Sequence, residues 1–422
     1  VATATQPPSG QTPEGHEQQP APTGPQTPNL PSAQAPAPSF EAAGAPNEDL
    51  IETQKRPTLR LKVQAFRERH AMAEMAAFFF LGFLYDAFTL SRIDDRISVV
   101  QQGVYLAVLG MLLFLEQRWS GETKPSGWLA KAWRFNEDVL HFFFGSLLSS
   151  FTLLYFKSAS SLTSLLFLVV VFGLLVGNEL PRFRALGPLV RVAIFSFCVT
   201  SYFAYLLPVL FGFLSAWLFL LAVVVGCGAV LGLFGVVRRW NGGNLQTVFQ
   251  RVALPGLAVQ GALLLLYLLH VIPPVPLALQ FAGIYHDVKV VRGDTGREYH
   301  LSYEAPTWKF WNSGSQDFFV RPGDKAWYFV RIFAPKHFQD RVTFRWYYDD
   351  PDKGWVERGS FKTRISASSD EGFRTMAYTS NPKPGDWSVS VETEDGREIG
   401  SMGFTVLQDE RTAPREFQVE KQ

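Results

Sequence analysis

The sequence predicts two architectures in one chain: an α-helical membrane bundle of seven transmembrane helices, then an all-β, immunoglobulin-like sandwich. Three observations predict it. Between Met72 and Ile272 the chain is a run of apolar segments broken by short charged loops. Basic residues crowd the loops on one side of those segments only. From residue 283 the apolar residues alternate with period two and are punctuated by Pro, Gly and Asp turn signals, the pattern of short strands with one buried face.

Residues 1–54 hold eleven of the chain's 27 prolines, no Lys or Arg, and Phe40 as their one aromatic. Such a segment buries too little apolar surface to offset its ordering entropy, so a disordered tail is expected, either a docking arm or a plain linker. No basic stretch followed by an apolar core stands at the start, so insertion is expected to be directed by the first spanning helix. Residues 55–71 then supply Lys55, Arg56, Arg60, Lys62, Arg67 and Arg69, a basic juxtamembrane segment suited to anionic lipid on the cytoplasmic side.

A helix rises ~1.5 Å per residue and the hydrocarbon core is ~30 Å thick, so each span needs about 20 apolar residues. The expected spans are 72–91, 98–116, 138–156, 162–180, 188–207, 210–237 and 253–272. The fifth and sixth form one apolar run, too long for a single crossing, and Pro208 with Gly212 marks the expected turn between them. The loop 117–137 interleaves Trp119, Trp128 and Trp133 with Lys131 and Arg134, as a short helix in the interface would. On these spans, sixteen basic residues flank one side and three, Arg92, Arg96 and Lys157, flank the other. By the positive-inside rule the N-terminus is cytoplasmic, and seven crossings place residues 283–415 outside the cytoplasm.

Ionisable groups within a bilayer are costly and tend to mark partners or hydrated paths. The candidates are Asp86 in the first span, then Glu137, Asp138 and His141 at the entry of the third, then Asn178, Glu179 and Arg182 at the end of the fourth. Glu137 and His141 are four apart and Asp138 and His141 three apart, so each pair shares a helix face. A proton or ion path, or an acid–base pair built on His141, is one reading; capping and pairing at helix ends is the other. Gly226, Gly228, Gly232 and Gly235 permit close helix packing.

In the C-terminal part Val342, Phe344, Trp346 and Tyr348 fall on one face, and Trp387, Val389 and Val391 repeat the pattern. Turn signals fall at Pro322–Asp324, Pro351–Gly354, Pro384–Asp386 and Glu394–Gly396. Eight to ten short antiparallel strands are expected, with residues 416–422 as a tail. The two cysteines, Cys198 and Cys227, lie in apolar spans, so the sandwich has no disulfide and must rest on its core. Two surface candidates emerge: Trp308 with Trp311, and Trp346 with Trp355 around Asp349, Asp350 and Asp352. Aromatic faces beside carboxylates can stack sugars, although tryptophans also fill sandwich cores. The three Asp lack the closing Glu of a calcium loop and the histidines lack metal-ligand spacing, so no metal or cofactor is expected.

Gly354-Trp355 through Phe373-Arg374, Pro384-Gly385-Asp386-Trp387-Ser388-Val389, Asp395 to Gly400 and Phe404-Thr405-Val406 together resemble an uncharacterised bacterial β-domain family that closes multi-helix membrane proteins. Asn178 to Phe183 is similar to the membrane part of such proteins. The resemblance implies an architecture and a bacterial envelope setting, so the expected placement is an inner-membrane protein with its sandwich in the periplasm, and it implies no catalytic residues. With a net charge of +1 and a mean hydropathy of +0.05, nothing favours nucleic acid. The expected function is non-enzymatic: a bilayer-anchored sandwich that binds an envelope protein or glycan, possible subunits of a membrane complex included. Transport through the intramembrane polar residues is the alternative.

Overall fold

The structure is a computed structural model that describes residues 96–119, 125–180, 187–241, 245–293, 296–304, 314–366 and 372–422. The tail, the basic segment, the first expected span with Asp86, and Arg182, Trp308 and Trp311 lie outside the described residues.

The helical part comprises α1 Arg96–Arg118, the short α2 Trp128–Trp133, α3 Asn136–Ser158, α4 Leu162–Glu179, α5 Pro188–Phe211 and α6 Ala216–Asn241. It ends with α7 Leu245–Val248, which runs through a π-turn, Phe249–Ala253, into α8 Leu254–Leu268. Five of these runs are long and apolar enough to cross a membrane by length and composition, and Leu162–Asn178 is a shorter apolar helix. The six coincide with the second to seventh expected spans. α5 is the central helix, with 67% of its apolar window buried against 17% for α1. Large apolar side chains point outward, such as Leu162, Val169 and Trp217. Polar side chains such as Ser196, Thr200 and Gln260 point inward, the arrangement a lipid-facing bundle requires.

Local chemistry explains the breaks. Ser161 caps α4 by accepting the Ser164 amide on its hydroxyl at 3.1 Å. The π-turn sits just before Pro255, which lacks an amide and crowds the preceding turn, and an extra residue in the turn accommodates the ring. Pro208 lies inside α5, one turn before the turn that was expected to contain it. Gly212 alone makes that turn, left-handed at φ 76°, with its amide donating to the Pro208 carbonyl at 2.8 Å. α8 likewise closes before Pro273: His270 is left-handed at φ 56°, and Val271 N–H returns to the Leu266 carbonyl at 2.9 Å.

Among the described residues the sandwich has eleven strands, one more than the expected upper count. They are β1 Ala278–Tyr285, β2 Asp287–Gly293, β3 Gly296–Tyr303, β4 Asp317–Val320, β5 Lys325–Phe333, β6 Gln339–Asp350, β7 Gly354–Ser366, β8 Phe373–Ser380, β9 Gly385–Thr393, β10 Glu398–Gln408 and β11 Gln418–Lys421. The sheets are β1-β5-β8, β4-β10-β9-β6-β7 and β11-β3-β2. The five-stranded sheet packs on the first through Tyr328, Val330 and Ile332 from one side and Phe344, Trp346 and Val389 from the other. The opposite face of β5 carries Phe329 into a cluster with Tyr285 at the end of β1 and with Val288 and Leu301 of the third sheet. β5 is therefore buried on both faces, which period-two reading does not anticipate.

Three expectations need correction. Strand pairing begins at Ala278 rather than at residue 283. Among the named strands β4 pairs with β10 in parallel and the rest pair antiparallel, with a further parallel bridge between Ile284 and Gly314. Residues 416–422 contain β11, which pairs with β3 from Gln418↔Tyr303 to Lys421↔His300. The last correction has an electrostatic cause. Arg415 reaches both carboxylate oxygens of Asp324 at 2.7 and 3.0 Å, and Arg321 and Arg411 each reach Asp409 at 2.7 Å. These pairs hold the segment before β11 against the sandwich.

Candidate functional site

Two polar assemblies stand out, at opposite ends of the helices. At the end away from the sandwich, Arg191 is buried within the first turn of α5. Its guanidinium pairs with Glu116 of α1 through Nη1 and with Glu137 of α3 through Nη2, the latter at 3.1 Å. One turn further along α3, His141 faces α4: its Nδ1 lies 3.2 Å from Asn178 Oδ1, and Asn178 Nδ2 donates to the His141 carbonyl at 3.3 Å. Because the amide oxygen only accepts, Nδ1 carries the proton there. Asp138 is exposed. The helix includes Glu179, whose side chain lies outside the description.

The structure thus brings Glu137 to Arg191 and His141 to Asn178, each pair tying two helices together. It does not merge the two pairs with Asp138. Glu116 and Arg191 are the partners that sequence reasoning missed as a pair. An Arg in the first turn of an apolar helix and a Glu in the last turn of another were the available signals. A third group, also missed, lies at mid-bundle. Gln260 Nε2 donates to the Ser196 carbonyl at 3.0 Å, and Thr200 Oγ1 donates to Gln260 Oε1 at 2.8 Å. Ser196 and Thr200 are four apart on one face of α5, and Gly226 of α6 packs directly over them: a Cβ there would sit 2.6 Å from Gln260 Nε2. Gly228, Gly232 and Gly235 meet no such neighbour.

The second assembly joins the helices to the sandwich. Its contacts come from the α3–α4 junction, the α5–α6 turn and the end of α8. Ser160 Oγ donates to the Glu398 carbonyl at 3.3 Å. Gln339 N–H donates to the Gly212 carbonyl at 2.7 Å, and Leu214 N–H donates to Asp340 Oδ2 at 3.0 Å. Gly212 is required here for space as well as conformation, since a Cβ would lie 2.9 Å from the His337 carbonyl oxygen. Tyr267 stacks on Phe219 with ring centroids 4.0 Å apart, and its hydroxyl donates to Asp395 Oδ2 at 2.9 Å. Arg397 lies over the Tyr267 ring at 4.7 Å and pairs with Asp395 at 2.9 Å.

Burial acts to raise the Asp395 carboxyl, but the Arg397 charge and hydrogen bonds from Thr393, Tyr267 and Arg397 outweigh it and hold it below the usual carboxylate value. Burial pushes the Asp340 carboxyl up, against the pull of the Arg341 and Leu214 amides. Among the described residues, Arg96 at the start of α1 and Lys157 are the basic residues at the helix ends on the sandwich side. Arg118, Lys131, Arg134, Arg191, Arg238, Arg239 and Arg251 lie at or near the other ends.

Of the sandwich candidates, Trp346 is a core residue, 3% exposed, with its ring edge-on to Phe404 at 6.2 Å. It therefore cannot flank a surface site with Trp355. Trp355 is 55% exposed and sits directly across from Asp349 in the β6–β7 register. The register shifts between Trp346 and Tyr347, which leaves Arg358 as the extra residue of a bulge. Arg358 reaches Asp350 at 3.0 Å and lies over the Tyr348 ring at 5.2 Å. Asp352 is exposed in the turn. Thus Trp355, Asp349, Asp350, Asp352 and Arg358 share one end of the sheet, and Trp346 does not belong with them.

The fold defines a class: an apolar helical bundle of candidate membrane spans carrying a C-terminal β-sandwich. Residues 339–406, which span β6 to β10, match the family described as "Protein of unknown function (DUF2914)". No curated protein matches the chain. Among solved structures, an immunoglobulin-like protein from Pseudomonas aeruginosa aligns at 13% identity and a TM-score of 0.18, covering 29% of this chain and 96% of that one. The alkylpurine DNA glycosylase AlkC of Pseudomonas fluorescens, bound to DNA with an abasic-site analogue, aligns at 12% identity and a TM-score of 0.17, covering 64% and 76%. At those scores neither bears on function, and the sandwich rests on its own strand pairing.

Proposed function

We propose that this chain is a multi-pass inner-membrane protein that holds its β-sandwich at a fixed height and orientation on the periplasmic bilayer surface, for an envelope protein or glycan to bind. One observation carries the reading: the sandwich is joined to three separate helix ends by hydrogen bonds and a ring contact, where a mere tether would leave it free. The helix ends it rests on are the ones poor in basic residues, which supports the periplasmic side. The exposed Trp355, with Asp349 across the strand pair, is the surface we assign to the partner.

Transport is a weaker reading, because Glu137 pairs with Arg191, His141 Nδ1 with Asn178, and Ser196 and Thr200 with Gln260, each contact tying neighbouring helices together. The test is labelling of Asp352→Cys in a background lacking Cys198 and Cys227. Position 352 lies in an exposed turn. Labelling in intact cells by a thiol reagent that crosses only the outer membrane supports the reading. Labelling only after the inner membrane is broken overturns it.

A further inference from the structure

Where the α5–α6 turn meets the edge of the five-stranded sheet there is a cleft of about 580 Å³, lined by Phe213, Leu214 and Ser215 from the helices and by Asp340, Arg341, Arg364 and Glu394 from the sandwich. That volume falls in the roughly 300–1,000 Å³ range of small-molecule sites. Two features of it are unusual. Arg341 of β6 and Arg364 of β7 are direct register partners, and like charges directly opposite on neighbouring strands repel. The carboxylates nearby do not resolve this. Both oxygens of Asp340 accept backbone amides, from Leu214 at 3.0 Å and from Arg341 at 2.7 Å. Glu394 reaches Arg341 at 3.5 Å. Among the described residues no carboxylate pairs with Arg364.

The second feature is the apolar wall beside the cleft. Leu210, Phe211, Phe213 and Trp217 surround the turn and are all exposed. A cationic pair directly above an apolar, aromatic rim matches one chemistry: a phosphodiester joined to acyl chains. Each arginine can give a phosphate two parallel N–H donors, while the chains lie along the outward face of α6.

We propose that this cleft seats the phosphate of a phospholipid headgroup, held between Arg341 and Arg364, at the joint between bundle and sandwich. The inference rests on the membrane-anchored reading above. The experiment uses the full chain, purified in detergent and titrated with short-chain dioctanoyl-phosphatidylglycerol, with thermal shift and native mass spectrometry as readouts. The expected result is saturable binding that weakens at least tenfold in Arg364→Gln and further in Arg341→Gln/Arg364→Gln. Arg358→Gln, on the same strand but outside the cleft, should bind as the parent does.

Arg364 is exposed, so its single replacement is not expected to unfold the chain. Should the double variant misfold, Arg364→Lys, which keeps the charge and loses the paired donors, should still bind measurably weaker. Lipid affinity unchanged in Arg364→Gln overturns the proposal. So does inorganic phosphate or glycerol phosphate binding as tightly as the lipid, which would make this a site for free anions. Separate reconstitution into nanodiscs distinguishes the two readings: a chain that inserts but binds lipid independently of the arginines loses only this proposal, whereas one that does not insert loses the membrane reading as well.

Discussion

Replacing Asp395 with Ala is the most direct test of the joint between bundle and sandwich. Arg397 is buried. It has Asp395 as its ion partner and the Tyr267 ring beneath it. Removing one member of a buried pair costs about 3–5 kcal/mol, because the remaining charge is left without compensation. The Asp395 side chain is 28% exposed, so water can reach the orphaned guanidinium and about 2 kcal/mol is the better estimate. That is roughly a thirtyfold change in an equilibrium constant. If the joint opens as one unit, the Gln339 amide, which donates to the Gly212 carbonyl across it, should exchange with deuterium about thirtyfold faster in nanodiscs. Core amides of β6 such as Phe344 should keep their protection. Tyr267→Phe, which removes only the hydroxyl, should show about 1 kcal/mol of the same effect. Unchanged exchange at Gln339 in Asp395→Ala would refute the idea that these contacts act together and would return the sandwich to the status of a tethered domain.

Three further outcomes follow from the geometry. Arg191→Met should lower the stability of the reconstituted bundle by about 3 kcal/mol, and adding Glu116→Gln should recover much of it, since the second change removes the stranded carboxylate; thermal unfolding by circular dichroism reads both. Gly226→Ala should cost about 1–3 kcal/mol by overpacking against Thr200 and Gln260, while Gly228→Ala, which meets open space, should leave the same melt unchanged. His286 stacks on Phe318 at 4.0 Å and lies 5.1 Å from Phe417. Burial, helped by the Arg415 and Arg411 charges against those of Asp324 and Asp409, pushes its imidazole down to about 4. Between that value and the ordinary 6.5 the unfolded chain binds a proton that the folded one refuses. Stability should therefore fall, by about 2–3 kcal/mol, as pH drops through this window, and His286→Phe should flatten that part of a pH-dependent melt.

Much of the architecture was legible in the sequence because two periodicities report directly on burial. Spans of about 20 apolar residues and the alternation at Val342, Phe344, Trp346 and Tyr348 each follow from local geometry, and the helices and strands fall where those patterns end. Gly212 was legible for the same reason, because a left-handed turn between two apolar runs needs a residue without a Cβ. The alternation already sets Trp346 beside Val342 and Phe344 on a buried face, but no comparable pattern placed Trp355, whose exposure across from Asp349 only the strand pairing decides.

What the sequence determined by itself is therefore local: helix lengths, strand alternation, turn positions and the asymmetry of charge between the two ends of the helices. The tertiary structure decided every pairing between elements. Glu116 meets Arg191 across 75 positions, Tyr267 meets Asp395 across 128, and Arg341 faces Arg364 in the register of β6 and β7. No periodicity within a segment encodes such meetings, since each depends on how separate helices and sheets are placed in space. The buried polar groups that hold the bundle together, and the joint that fixes the sandwich upon it, could only be read once that placement was known.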